Sequence, residues 1–141
     1  MSDPALVVRP ADVEPVDRGN GVVTLPLVGR WNRDENSVTT GITRFEPGTA
    51  IGLHVHNVEE TVLVLEGTAT AVLEDRTETV PTGSAISVPA GVPHFISNQT
   101  DTVLRIYWVY VGRYVTRTLL ATGKTVEVMS AEDRSGTQAP S

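Results

Sequence analysis

Apolar and polar residues along this chain nowhere keep a helical period for eleven residues or more. Short β-rich runs recur instead, each cut off by Gly, Pro, Asn or Asp: GVVTLPLVG, SVTTGITRF, ETVLVLEG, TATAVLED, RTETVP, SAISVPAG, HFIS, TVLRIYWVYVG and KTVEVMS. Runs of strand length at spacings of roughly 8 to 12 residues predict an all-β sandwich or barrel. Thr68-Ala69-Thr70-Ala71-Val72 alternates, whereas TVLVL and IYWVYV are apolar throughout. The continuous runs predict central strands covered on both faces. LEDRTET, residues 73 to 79, reads as a hairpin turning at Asp75-Arg76.

The ends differ from the middle. Residues 1–20 are rich in Pro and Asp and are expected to form an N-terminal extension that adds a strand. Residues 21–130 are expected to be a single β-barrel domain, and 131–141, with almost nothing to bury, a disordered tail. A chain of 141 residues suits one domain with a core that needs no disulfide staple. The runs ALVVRP and VVTLPLVG carry strand-forming residues that need a partner, and an exposed edge is a liability that a symmetric mate removes. A homodimer is the expected assembly.

Composition narrows the chemistry. Cysteine is absent, which excludes disulfides, thiolate ligands and a cysteine nucleophile. A net charge of −6 with no basic block leaves nucleic-acid binding without an electrostatic footprint. No apolar run approaches the roughly 18 to 20 residues of a membrane span. The opening MSDPALVVRP has acid and proline where a signal peptide places basic and then apolar residues, so a cytoplasmic protein is expected. The single lysine, Lys124, lies in a turn-like ATGKT that lacks the spacing and context of a phosphate-binding loop.

Two of the three histidines stand two positions apart in HVHNVEE, residues 54 to 60. On a strand such residues share a face, about 6.6 Å apart, and two imidazoles so placed are able to converge on one ion. Glu60 keeps that face only if the chain stays extended or returns through a tight hairpin at Asn57. An HxH on a strand also occurs as a surface or packing feature. The third histidine, His94, follows the turn PAGVP within GSAISVPAGVPHFISN, residues 83 to 98.

Together the two segments resemble the cupin superfamily. Its first motif is matched by Gly48, then five residues, His54-Val55-His56, three residues, Glu60, six residues and Gly67. Its second is matched by Gly83, five residues, Pro89-Ala90-Gly91, two residues, His94, three residues and Asn98. The 15 residues between the motifs are the short spacing of compact single-domain cupins. The resemblance implies a double-stranded β-helix, the jelly-roll cupin barrel. It also implies that His54, His56, Glu60 and His94 bind one divalent transition metal ion per subunit. Imidazoles with a carboxylate suit Fe, Mn, Ni, Cu or Zn rather than calcium, and four protein ligands leave a position open for chemistry.

Parity along the runs puts Val62 and Val64 on the face of Glu60, and Ile96 on that of His94. Phe45, Phe95, Tyr107 and Trp108 are candidate pocket aromatics. Either Arg105, Tyr107 and Val109 face inward or Ile106, Trp108 and Tyr110 do, and parity does not choose. Arg44 is a weaker candidate to hold a substrate carboxylate, and Glu59 and Glu66 are expected at the surface. The function expected is that of a metal-dependent enzyme on a small hydrophobic or aromatic molecule, a dioxygenase-type oxidoreductase using iron or manganese. The alternatives are a non-oxidative lyase, isomerase or cyclase, and non-catalytic binding of a small molecule.

Overall fold

The structure, a computed structural model, describes residues 4–140. Among the described residues there are fourteen strands, numbered in chain order, and every pairing between them is antiparallel. One sheet has six strands: β1 (Val16–Gly19), β2 (Val22–Pro26), β3 (Thr39–Phe45), β11 (Leu104–Tyr110), β6 (Glu60–Glu66) and β9 (Ala85–Val88), in that spatial order. The other has eight. Its path runs β13 (Thr125–Glu127), β12 (Thr116–Leu119), β5 (His54–His56), β10 (His94–Ser97), β4 (Thr49–Ile51) and β14 (Gly136–Gln138). The hairpin of β7 (Thr68–Leu73) and β8 (Arg76–Pro81) joins it through the pairing of β7 with β10. Only a 3-10 turn at Pro10–Asp12 is helical among the described residues. The two sheets face each other as a jelly roll and are not joined into one closed hydrogen-bonded cylinder.

The continuous apolar runs are interior strands. β11 lies between β3 and β6, and β6 between β11 and β9. Leu104, Ile106, Trp108 and Tyr110 are buried, while Arg105, Tyr107 and Val109 occupy the opposite, half-buried face. Across the ladder Ile106, Trp108 and Tyr110 stand against Val64, Val62 and Glu60, so one inward layer runs from apolar to ionisable. All of these but Glu60, with Val22, Phe45, Ile51 and Ile96, belong to the core. Gly41 makes room for the indole of Trp108: a Cβ there would lie 2.4 Å from the ring. Burying Trp108 is permitted because its Nε1–H donates to Thr43 Oγ1 at 2.9 Å.

Two expectations need correction. The β7–β8 turn is at Glu74-Asp75, one residue earlier than the sequence suggested, because Leu73 pairs with Arg76 and Glu74 takes φ 58°. The expected disordered tail at 131–141 is ordered over its described residues, 131–140. β14 adds to β4, and Asp133 and Ser135 are buried. The segment is polar and short of apolar area, but strand pairing and contacts to buried arginines order it instead. At the other end, β1 adds to β2 of the same chain, while ALVVRP forms no strand among the described residues.

Candidate metal centre

β5 projects His54 and His56 inward from one strand, with Val55 turned the other way. β10 begins with His94, which pairs directly with His54. Glu60 arrives by a different route from the hairpin considered above. Asn57, Val58 and Glu59 carry the chain over to the facing sheet, where Glu60 opens β6. Asn57 pins this crossing: its Oδ1 accepts from Thr116 N at 2.8 Å and its Nδ2 donates to Tyr114 O at 3.0 Å. The centre is therefore assembled from both layers of the fold, with all four side chains buried.

Each imidazole is held by a backbone carbonyl. His54 Nδ1 meets Gly52 O at 2.7 Å, His56 Nδ1 meets Thr116 O at 2.9 Å, and His94 Nδ1 meets Val92 O at 2.9 Å. A carbonyl only accepts, so in His54 and His56 the proton sits on Nδ1 and Nε2 presents a lone pair. The Nε2 atoms of His54 and His56 are 3.1 Å apart, with no proton left to lie between them. Glu60 Oε1 stands 3.0 Å from His94 Nε2 and 3.7 Å from His56 Nε2. Ligands about 2.1 Å from a common ion lie roughly 3 to 3.5 Å from one another. The three imidazoles offer ligand atoms all within 4.8 Å of one another. Facing lone pairs beside a carboxylate fit a divalent cation.

The charge states agree with that fit. Burial holds His54 well below the usual 6.5, and the positive charge of Arg117 pushes it the same way. Burial also depresses His56, to about 4, against the opposing pull of Glu60. Burial alone would raise Glu60, but its hydrogen bond with His94 and the nearby positive groups outweigh this and keep it ionised. Neutral nitrogens and a carboxylate are the forms that ligate.

Beside the centre is a cavity walled on its apolar side by Phe45, Ile51, Ile96, Ile106 and Trp108. Arg18, Tyr110 and Arg117 supply polar wall. Tyr107 is not part of it. The strand's alternation places Tyr107 on the outer face once Trp108 and Tyr110 point inward. Phe95 likewise faces away from the cavity, since its neighbours His94 and Ile96 line it. Val62 and Val64 pack in the core without reaching the cavity. Arg44 is exposed and pairs with Glu46. Glu59 and Glu66 are exposed. Gly48, Gly67, Gly83 and Gly91, the motif glycines, all take φ between 77° and 88°, a region that disfavours any side chain. Asn98 ties a loop, donating to Phe45 O and Thr102 O and accepting from Thr100.

The family profile described as Cupin domain matches residues 41–110, a span holding all four candidate ligands. The chain belongs to the cupin superfamily. Solved structures similar to this cupin include an S161A mutant of the oxalate decarboxylase OxdC of Bacillus subtilis, at 20% identity and TM-score 0.70, covering 79% of this chain and 31% of that one. The cupin thus spans less than a third of the decarboxylase's length. The polyketide cyclase RemF of Streptomyces resistomycificus is similar over 93% of this chain and 90% of its own, at 23% identity and TM-score 0.69. A Streptococcus pyogenes protein of unknown function, SPY1581, is similar at 23% identity and TM-score 0.55, over 64% and 74%. No curated protein sequence matches the chain.

Four residues of the site in this cupin were not singled out by sequence: Arg18, Arg117, Asp133 and, beyond its place in one of two parity sets, Tyr110. Arg18 lies in the supposed extension and Asp133 in the supposed tail. Arg117 sits in VTRTL, where an arginine between threonines reads as solvent-facing. Alternation in that run is the one usable signal. It puts Val115 and Arg117 on a single face, and both are buried.

Proposed function

We propose that this cupin is a metal-dependent enzyme in which His54, His56, Glu60 and His94 hold one divalent transition metal ion and a small organic substrate binds beside it. The observation that carries this reading is the fixed direction of three imidazoles, each tethered at Nδ1, beside an ionised carboxylate on the wall of a cavity. A bound ion would supply Lewis-acid polarisation of a substrate oxygen, and, if redox-active, reaction with dioxygen. The protein's own part is to bind, orient and keep the site dry. Phe45, Ile96, Ile106 and Trp108 exclude water, which strengthens every polar contact within. Tyr110 stays protonated as a hydrogen-bond donor, because burial raises its pKa and Glu60 adds to the effect.

An oxygenase using iron or manganese remains the leading oxidative form, supported by a nitrogen and carboxylate donor set. Non-oxidative lyase or cyclase chemistry is the second reading. It is favoured by the solved structures similar in fold, a decarboxylase and a cyclase by their names. Non-catalytic binding of a small molecule is the third. Parallel assays of the metal-loaded protein with and without dioxygen separate them. Oxygen uptake coupled to product supports the first, product under nitrogen supports the second, and binding without turnover under either gas supports the third.

The assembly we propose is a homodimer in the cytoplasm. Support comes from large apolar side chains left open, Val7 at 76% exposure, Tyr114 at 62% and Trp31 at 42% among them. The absence of cysteine suits a reducing compartment. Among the described residues no helix is long and apolar enough to cross a membrane.

A further inference from the structure

We infer that Arg117, backed by Arg18, forms a built anion subsite in the cavity, and that the substrate carries a carboxylate which this guanidinium holds beside the metal centre. The inference rests on the metal-dependent reading above and names the substrate class for it.

The two arginines are among the most buried charges in the fold, 4% and 2% exposed, and both line the cavity that also holds His54, Glu60 and His94. One carboxylate, Asp133, serves both. Its Oδ1 accepts from Arg18 Nη2 at 2.9 Å and from Arg117 Nη1, and its Oδ2 accepts from Met129 N at 3.2 Å. The pairing leaves one positive charge in excess. Glu60 does not cancel it, because that carboxylate belongs to the ion.

The excess falls on Arg117 rather than Arg18. All three nitrogens of Arg18 are engaged: Nε donates to Asp133 O at 2.7 Å, Nη1 to Thr24 Oγ1 at 3.1 Å, and Nη2 also to Ser135 Oγ at 2.6 Å. Arg117 beyond Asp133 has only a 3.4 Å contact from Nη2 to the Tyr110 hydroxyl, and its buried Nε has no partner. A buried guanidinium with an empty donor is expensive unless something completes it. A carboxylate does so by geometry as well as charge, since two oxygens match the planar fork of donors.

Size sets a bound on the ligand. The free volume at the heart of the cavity is about 30 Å³. One water needs roughly 10 to 15 Å³ by the same measure. There is space for about two water-sized groups, hence for the two oxygens of a carboxylate, whereas an aromatic ring would require the walls to part. The carboxylate of a compact organic acid fills this space on Arg117, and the remaining atoms lie in the wider part of the cavity towards the ion.

The test is calorimetric titration of the full-length protein, metal-free and metal-loaded, with acetate and pyruvate against acetamide and pyruvamide. The subsite predicts that the acids bind at least tenfold tighter than their amides in both forms. Arg117→Lys should weaken pyruvate binding at least tenfold with metal content unchanged, because a point charge replaces the fork. Equal affinity for acid and amide in the wild-type protein, or unaltered pyruvate affinity in a folded Arg117→Lys variant, overturns the proposal. Should that variant not fold, the wild-type comparison decides alone. Acid binding to a protein that takes up no metal would leave the subsite standing while the metal-dependent reading fails.

Discussion

Arg117 and His56 are cross-strand partners, paired in the antiparallel register of β12 against β5. A guanidinium and an imidazole thus share one inward face of the second sheet. The positive charge helps keep His54 and His56 free of protons, while Asp133 anchors the guanidinium from the C-terminal segment.

The first consequence is pH dependence in the metal-free protein. A histidine whose folded pKa is depressed contributes stability that is whole above its unfolded value of about 6.5 and is lost as pH falls towards the folded value. For His56 the window runs from 6.5 down to about 4, and His54 acts in the same direction. Thermal melts of metal-free protein should show Tm falling by on the order of 5 °C or more between pH 7 and pH 5. The metal-loaded protein should melt higher at pH 7 and lose that gain in acid, as protons compete for the ligands. A flat profile for the metal-free protein across that range would count against the buried, neutral imidazoles.

Asp133 is the sole carboxylate paired with two buried guanidiniums among the described residues. Asp133→Asn should therefore destabilise the fold by about 3 to 5 kcal/mol, the cost of leaving buried charge unpaired. Urea denaturation measures it. A loss below about 1 kcal/mol would place the segment carrying Asp133 at the surface after all.

The inward face of β11 gives a paired prediction. Trp108→Ala should change turnover or substrate choice with metal content retained, while Tyr107→Phe, on the outer face, should leave both as they were. The reverse pattern in steady-state assays would invert the strand. Gly41→Ala is a structural control, expected to cost about 1 to 3 kcal/mol by driving a Cβ into the Trp108 ring.

Much of this site is legible in the sequence, and the limits of that reading have physical causes. The glycines at 48, 67, 83 and 91 mark positive-φ turns, and the spacing they impose delivers His54, His56, Glu60 and His94 to one place. Turn chemistry is local, so sequence carries it. The face of β11 was not legible, because Tyr107 and Trp108 are both aromatic and only the partner strands decide which is covered. Glu60 was counted by parity along one strand, yet it reaches the centre by crossing to the facing sheet. Arg18 and Asp133 are 115 residues apart, and no local pattern links them. Arg44, named from sequence only as a weaker candidate to hold a carboxylate, is exposed and paired with Glu46, and Arg117 occupies the interior instead.

Assembly is tested by mass. Light scattering at micromolar concentration should give about twice the 15.1 kDa chain mass. A monomer there would mean that Val7, Trp31 and Tyr114 face solvent without a mate.

The most direct measurement is metal content by elemental analysis of the purified protein and of His94→Ala. The wild-type protein should carry close to one divalent transition ion per chain. The variant should retain far less while its circular dichroism remains that of a folded β-protein, since His94 Nε2 lies 3.0 Å from Glu60 Oε1 and removing it opens the set. Full occupancy in folded His94→Ala, or no transition metal in the wild-type protein after reconstitution, would contradict the four-ligand centre on which the proposed chemistry depends.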